Sequence, residues 1–147
     1  MLTLDEAIKL YFKRDRIAEL FGIEMLEFGN GNAKTRMPVH DMHLNGLDIV
    51  HGASIFALAD FTFAVASNSH GTVAVAINAD CSFVKAVKSG TLYADAKETS
   101  CSPKIATYSI VITDDAGDTV ALFHGMVYRK KESIIDIVMA RQAASQA

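Results

Sequence analysis

Cysteine is scarce in this chain of 147 residues, which contains only Cys81 and Cys101. Two cysteines are too few for a disulfide framework, and these two lie too far apart for a CxxC redox or zinc pair. We therefore expect both to be reduced thiols in or near a sheet, where they act as small hydrophobes.

An excess of positive charge is also missing. The chain has 14 Lys and Arg against 17 Asp and Glu, which gives a formal net charge of -3 at pH 7, and no block of basic residues occurs. Nucleic acids are bound largely through clustered positive charge, so the composition argues against a nucleic-acid partner.

Long uncharged apolar runs are absent as well. The opening MLTLDEAIKLYFKRDRI lacks the apolar core of a secretory signal, and charges interrupt every other candidate for a membrane span. We therefore expect a cytoplasmic protein with no membrane partner. Half of the residues are hydrophobic and no repeat or Pro/Gly-rich linker occurs, which predicts one domain over residues 1–147.

Local patterns predict helices at the ends and strands between them. Thr3 and Glu6 form a capping-box pattern before an N-terminal helix over about 4–21, in one piece or two, that stops at Gly22. Gly and Asn at 29–32 predict a hairpin. Long antiparallel strands are predicted at 72–87, 90–100, 104–115 and 118–130. The tail, about 131–147, is predicted as a short helix or a frayed end.

The stretch HGASIFALADFTFAVAS (51–67) predicts a central helix over about 52–67 that is apolar on nearly all faces. Such a helix must be covered all round, so we expect an α+β fold in which a twisted antiparallel sheet wraps it. Asp60 interrupts the apolar run. Half-buried among Leu58, Phe61 and Phe63, its carboxyl would have a raised pKa, which suits a base.

The start of this helix is a second unusual feature. Gly52 follows His51, and its missing side chain lets a ligand approach free N–H groups that attract negative charge, as in an oxyanion hole. Asp60 lies eight residues further on, roughly 12 Å at helical rise, too far to act on a carbonyl held at its own helix start. Either the two features are unrelated or a second chain supplies the acid.

The run NGLDIVHGASIFALAD (45–60), followed by ASNSHG, SFVKAV and VALFHGMVYRK, resembles the hotdog-fold acyl-CoA thioesterases of the phenylacetate-pathway (PaaI) type. The resemblance covers about residues 15–130, and its specificity lies in the joint spacing of Asn45, Gly52 and Asp60. It implies a hotdog fold, domains that pair their sheets side by side, and dimers that associate into a homotetramer.

The resemblance also implies an active site at the dimer interface. There the Gly52 N–H polarises the thioester carbonyl, Asn45 orients substrate or water, and Asp60 from the other chain acts as nucleophile or general base. Hydrolysis of this kind requires no metal or other cofactor. Ala53 stands where many relatives have a second glycine, and the tail after Arg129 lies outside the usual pattern.

Four further residues are candidates for substrate binding: His51, Asn78, Lys85 and Lys104. The resemblance places a polar residue beside the acid near Asn78, and the two lysines are candidates for contacting the phosphates of CoA. Each assignment has an alternative. His51 could orient the loop instead of binding substrate. The two lysines could serve solubility, as lysines at sheet edges commonly do.

Several residues also have simpler interpretations. His40, Asp41 and His43 suggest metal ligands, but no further ligand converges on them, so we expect a solvated connection. Ser54 lacks a G-x-S-x-G elbow and is interpreted as a polar residue of the first helical turn. Asp60 itself could instead cap a loop or pair with a buried lysine from a neighbour.

Three functions are compatible with these observations. The favoured one is a thioester hydrolase that converts an acyl- or aryl-acyl-CoA to the free acid and CoA. A hotdog hydratase or dehydratase would use a catalytic histidine with an acid on the central helix, whereas His51 precedes that helix. A non-catalytic acyl-CoA binding module would need the pocket but not Asp60.

For self-association, we expect the strand GTLYADAKETS or its neighbours to pair across a two-fold axis.

Overall fold

The computed structural model describes all 147 residues and contains four α-helices and six β-strands. The helices are α1 (Leu4–Phe12), α2 (Arg16–Phe21), α3 (Gly52–Asn68) and α4 (Ile134–Ser145). The strands are β1 (Glu24–Gly29), β2 (Asn32–Pro38), β3 (Thr72–Phe83), β4 (Thr91–Cys101), β5 (Ile105–Thr113) and β6 (Thr119–Ser133). The predicted α+β class is confirmed. No helix is both long enough and apolar enough to span a membrane.

All six strands form one antiparallel sheet in the order β1-β2-β4-β5-β6-β3. The β1–β2 hairpin turns at Asn30 and Gly31, whose φ angles are 52° and 84°. Asn and Gly tolerate this left-handed region better than other residues, which is why the short turn forms here. The predicted hairpin and the four predicted long strands are thus confirmed.

The free edges of the sheet are β1 and β3. The strand GTLYADAKETS, which we expected to pair with a second chain, is β4 and is hydrogen-bonded on both sides, to β2 and β5. That expectation is wrong for β4 itself. Its neighbour in sequence, β3, has the open edge, and residues 75–80 of that strand are all exposed, including Val75 and Ile77. A second chain can therefore extend the sheet only at β1 or β3.

Helix α3 packs on the inner face of the sheet, where it contacts strands on both sides of the centre. Leu58, Phe63 and Val65 are fully buried between helix and strands. Gly125 of β6 makes room for the Phe63 ring, since a Cβ at Gly125 would lie 2.6 Å from the ring Cζ. The missing side chain therefore sets how closely α3 approaches β6.

The covering of α3 is incomplete, although we expected it to be covered all round. Ala53, Phe56 and Asp60 are exposed and lie at i, i+3 and i+7, so they form one strip along the helix. We call these three residues the open strip. The single chain therefore leaves an apolar helix surface with a carboxylate in it for another molecule to cover.

The N-terminal helix is divided into two pieces. In α1 the capping box is present, with the Thr3 hydroxyl accepting the Glu6 N–H at 3.2 Å and the Glu6 carboxylate accepting the Thr3 N–H at 2.8 Å. A new helix start follows because Asp15 accepts the Ala18 N–H at 2.9 Å. Gly22, with φ 71°, ends α2 in the left-handed conformation, as its position in the sequence predicts.

The C-terminal tail forms a helix rather than a frayed end. Ser133 caps α4 by accepting the Asp136 N–H at 3.3 Å. Ile134 and Val138 are buried, and the helix packs against α1. The tail therefore contributes to the hydrophobic core.

Candidate active site

The loop that leads into α3 is held in place by Asn45. Its Oδ1 accepts the N–H groups of Leu47 at 2.9 Å and Ile49 at 3.4 Å, and its own N–H donates to the Ile49 carbonyl at 2.9 Å. Such side-chain bonds to nearby backbone are typical of asparagine in turns. They use the carbonyl of the side chain and leave its Nδ2 group free to bind a ligand.

His51 caps the start of α3. Its Nδ1 accepts the Ala53 N–H at 2.9 Å, and its carbonyl accepts the N–H groups of Ser54 at 2.9 Å and Ile55 at 3.1 Å. These bonds supply acceptors for three of the first four N–H groups of the helix and leave the Gly52 N–H without one. His51 therefore orients the helix start, as one of the two interpretations of this residue predicted.

His43 lies beneath this helix start, and the expectation of a solvated connection is wrong for it. The ring is fully buried. Its Nδ1 accepts the His40 N–H at 2.9 Å and its Nε2 donates to the Phe21 carbonyl at 2.8 Å. Burial lowers the pKa of His43, so the neutral ring is favoured. The His43 carbonyl accepts the His51 N–H at 2.7 Å and the Ser54 hydroxyl at 3.1 Å, which anchors the loop to α3.

A cleft of about 420 Å³ opens beside Gly52. Its lining includes Asn45, Gly52, Ile55, Phe83, Val84 and Lys85. The Phe83 ring, at the end of β3, lies 3.4 Å from the position that a Gly52 Cβ would take. The cleft thus combines an apolar wall with a backbone donor and a side-chain amide, the arrangement expected for binding an apolar group next to a polarised carbonyl.

Asp60 does not line this cleft. It lies on the open strip, roughly 12 Å along the helix from Gly52 at 1.5 Å per residue. Within the single chain the carboxylate forms no ion pair and caps no backbone group, so the interpretation of Asp60 as a loop cap does not apply. One chain therefore does not bring Asp60 and Gly52 together.

The surroundings of Asp60 make it a stronger base than a free aspartate. The side chain is accessible to solvent in the single chain but is flanked by protein, in keeping with the half-buried environment that the sequence predicted. The neighbouring protein displaces enough water to raise the pKa of Asp60, and the negative charge of Asp15 at the start of α2 raises it further. Any molecule that covers the open strip would increase this desolvation.

The other predicted substrate-binding residues lie apart. Lys85 is at the cleft, but its Nζ lies 2.6 Å and 2.7 Å from the carboxylates of Asp114 and Asp118, which raise the pKa of Lys85. Asn78 lies at a bulge on the open edge of β3. Lys104 precedes β5, whereas Asp114 follows that strand, so Lys104 and Lys85 lie at opposite ends of the sheet. The single chain does not gather these side chains into one pocket.

Sequence reasoning missed a polar network near the other end of α3. The Nε2 of His70 lies 2.6 Å from Oε2 of Glu98, and the hydroxyl of the buried Tyr108 donates to the same oxygen at 2.6 Å. Desolvation opposes ionisation of Glu98, but the bonds from Tyr108 and His70 outweigh it and lower the pKa of this carboxyl. No spacing in the sequence links these three residues, because only the sheet register brings them together.

Comparisons with known proteins identify the family to which this chain belongs. The sequence profile described as "Thioesterase superfamily" matches residues 47–121, which contain Gly52 and Asp60. A putative esterase of Archaeoglobus fulgidus is 43% identical over 129 residues, which cover 86% of this chain and 84% of that protein. The acyl-coenzyme A thioesterase PaaI of Escherichia coli is 35% identical over 119 residues, which cover 80% of this chain and 85% of the relative.

The solved structure of the PaaI protein from the phenylacetic acid degradation operon of E. coli gives a TM-score of 0.82 at 31% identity. The alignment covers 89% of this chain and 99% of that one. The likeness confirms that the wrapped helix and six-stranded sheet are a hotdog fold. The chain therefore belongs to the thioesterase superfamily, as a hotdog-fold thioester hydrolase of the PaaI-like kind.

Proposed function

We propose that this thioesterase hydrolyses an acyl- or aryl-acyl-CoA to the free acid and CoA, at a site to which two chains contribute. One observation carries the proposal: the donor end of α3 lies on an apolar cleft, while the unpaired Asp60 lies about 12 Å away on the open strip. An acid or base must come within about 3 Å of the group it serves. The similarity to an enzyme named acyl-coenzyme A thioesterase supports the substrate class.

The second chain is proposed to dock at β3. Two copies of this edge, paired antiparallel across a two-fold axis, would continue the sheet and cover Val75 and Ile77, which are 44% and 53% exposed in the single chain. In the proposed dimer the two-fold symmetry would turn each chain's open strip towards the other chain's cleft, so that both sites are equivalent. Two such dimers are proposed to associate into a homotetramer.

In the proposed reaction the thioester oxygen accepts a hydrogen bond from the Gly52 N–H, and the positive end of the α3 dipole stabilises the charge that develops on it. Asp60 of the partner subunit takes a proton from water, which attacks the carbonyl carbon. Alternatively, this carboxylate attacks first, and water then hydrolyses the mixed anhydride. In either route the carbon–sulfur bond breaks, and the departing CoA thiolate receives a proton.

The remaining site residues are proposed to position the substrate. Asn45, whose Nδ2 is free, donates to the thioester or to the attacking water. His51 keeps the helix start open by its capping bond. Asn78, at the exposed β3 edge, is proposed to be the polar residue beside the acid that the resemblance implies. These roles require the loop and the β3 edge to keep the geometry of the single chain.

The phosphates of CoA are proposed to contact Lys85 and Lys104. Lys104 has no ion-pair partner, so its ammonium group is free to contact a phosphate, whereas Lys85 must exchange Asp114 and Asp118 for phosphate.

The two cysteines are free thiols, in keeping with the cytoplasmic location that we propose. The alternative of a hydratase is disfavoured because α3, which contains Asp60, contains no histidine.

The test is release of CoA from a panel of acyl- and aryl-acyl-CoAs, followed with a thiol reagent. The wild-type chain should hydrolyse at least one of them, and Asp60→Asn should lower kcat by about a hundredfold or more without lowering Tm. Asp136→Asn, an exposed carboxylate on α4, is the matched control and should keep full activity. A folded Asp60→Asn variant with full activity would overturn the assignment.

A further inference from the structure

A second cluster of reactive side chains lies at the far end of α3 from Gly52. It consists of His70, in the turn between α3 and β3, with Glu98 and Cys101 near the end of β4. One ligand atom from each of these side chains lies within 4.8 Å of the other two. We call these residues the His–Glu–Cys cluster. None of them belongs to the proposed active site.

The cluster exists because β4 contains a bulge. On a regular strand, residues three apart point to opposite faces, so Glu98 and Cys101 would not meet. Here Glu98 pairs with Tyr108 and Ser100 with Thr107, which leaves Thr99 as an extra residue. The extra residue returns Cys101 to the face that carries Glu98.

We propose that His70, Glu98 and Cys101 bind a zinc ion. An imidazole nitrogen, a thiolate and a carboxylate are the three donor types that zinc takes in proteins, whereas calcium and magnesium prefer oxygen donors alone. Three protein ligands leave a fourth tetrahedral position, which water fills at this partly exposed site.

The distances allow binding with small side-chain movements. Zinc bonds of about 2.0–2.3 Å at tetrahedral angles place neighbouring donors roughly 3.3–3.8 Å apart. The 2.6 Å bond between His70 and Glu98 must therefore open slightly, and the three ligand atoms, which already lie within 4.8 Å of one another, must come to these separations. Both bonds to Glu98 end on Oε2, so Oε1 has no partner to lose.

Neighbouring groups already hold the carboxylate in place. Tyr108 donates to Oε2 of Glu98 at 2.6 Å, the kind of outer contact that orients metal-binding carboxylates. Gly31 has no side chain where a Cβ would lie 2.5 Å from the same oxygen. The Gly31 N–H also donates to the Ser69 hydroxyl at 2.8 Å, which fixes the residue before His70.

Binding releases protons that can be measured. The Cys101 thiol loses its proton as the sulfur–zinc bond forms, and a protonated His70 ring loses one as its nitrogen binds. The ion would join the turn after α3 to the end of β4, so its effect is to stabilise this end of the fold. Because the cluster lies outside the proposed active site, hydrolysis of acyl-CoA does not depend on it.

The experiment titrates chelator-treated full-length protein with Zn²⁺ by calorimetry and with Co²⁺ by absorbance. We expect one zinc ion per chain, proton release, a higher Tm, and for Co²⁺ a thiolate charge-transfer band with the spectrum of tetrahedral coordination. Cys101→Ser should abolish the charge-transfer band and weaken zinc binding at least tenfold. Cys81→Ser is the matched control and should change neither, since Cys81 lies on β3.

Equal zinc affinity in Cys101→Ser and the wild type would overturn the proposal, as would a wild-type chain that binds no zinc at micromolar concentration. Glu98→Gln and His70→Gln provide second tests, and each should weaken zinc binding, whereas the control variant Cys81→Ser should bind zinc like the wild type. Activity of the chelator-treated enzyme should equal that of the untreated enzyme, so this result is separable from the test of Asp60.

Discussion

Mixing two inactive variants tests whether each active site takes residues from two chains. Asp60→Ala removes the acid, and Asn45→Asp removes the free amide while keeping the Oδ1 acceptor that holds the loop. Each variant should keep its fold and retain about a hundredth of wild-type activity or less. If Asp60 serves the cleft of the other chain, a mixed dimer has one site with both changes and one site with neither.

The expected recovery follows from the symmetry. With equal amounts and random exchange, about half of the dimers are mixed and each has one intact site, so activity should reach about a quarter of the wild-type value. If each site lay within one chain, every site would keep one change and no activity would return. The helical distance of roughly 12 Å between Gly52 and Asp60 is the reason that we expect recovery.

The assay is CoA release after co-expression of differently tagged chains, with a pull-down to show that the two variants share dimers. A mixture of Asp60→Ala with Asp60→Asn is the matched control, because both changes affect the same residue and mixing should restore nothing. Shared dimers without recovery, in variants that remain folded, would refute the two-chain site.

Three further changes have expected outcomes. Asp60 must be ionised to act, so activity should fall as the pH drops through its raised pKa. Asp15→Asn keeps the side-chain cap of α2 but removes a negative charge near Asp60, so the acid limb of the kcat/KM profile should shift to lower pH. An acid limb that does not move would contradict the coupling between the two carboxylates. Ile77→Lys on the β3 edge should abolish self-association, measured by light scattering, and activity with it. Leu26→Lys on the β1 edge should change neither self-association nor activity. If only the β1 variant lost self-association and activity, the dimer edge would be β1 and not β3. Tyr108→Phe removes a buried hydrogen bond to a carboxylate and should lower the free energy of unfolding by about 1–2 kcal/mol in urea while kcat stays unchanged. A large fall in kcat would mean that this network affects the active site.

The elements of this fold follow closely from local sequence signals. The capping box at Thr3, the stop at Gly22 and the turn at Asn30 and Gly31 each act over a few residues, so their patterns predicted the structure directly. The apolar run of the central helix was equally informative. The resemblance to PaaI-type enzymes then supplied the hotdog fold, which such local signals do not specify.

What the sequence did not predict depends on contacts between distant residues. The sheet order puts β4 in the interior and leaves β3 at an edge, and no property of the strand GTLYADAKETS alone reveals this. His43 is polar, so its position in a loop suggested solvent, but its two ring nitrogens find backbone partners that allow burial. The exposure of Asp60 arises because the sheet of one chain does not close over the open strip.

Gly125 has no side chain, yet its small size fixes where Phe63 and the helix that carries it can lie. An alanine there would have to push the Phe63 ring back by several tenths of an ångström, and Phe63 lies one turn after Asp60 on the same rigid helix. Displacements of about 1 Å in a reacting group can cost a hundredfold in rate. If Asp60 acts in the adjoining chain as proposed, a larger residue at position 125 would shift the helix that carries this acid, and a search confined to polar residues would overlook that constraint.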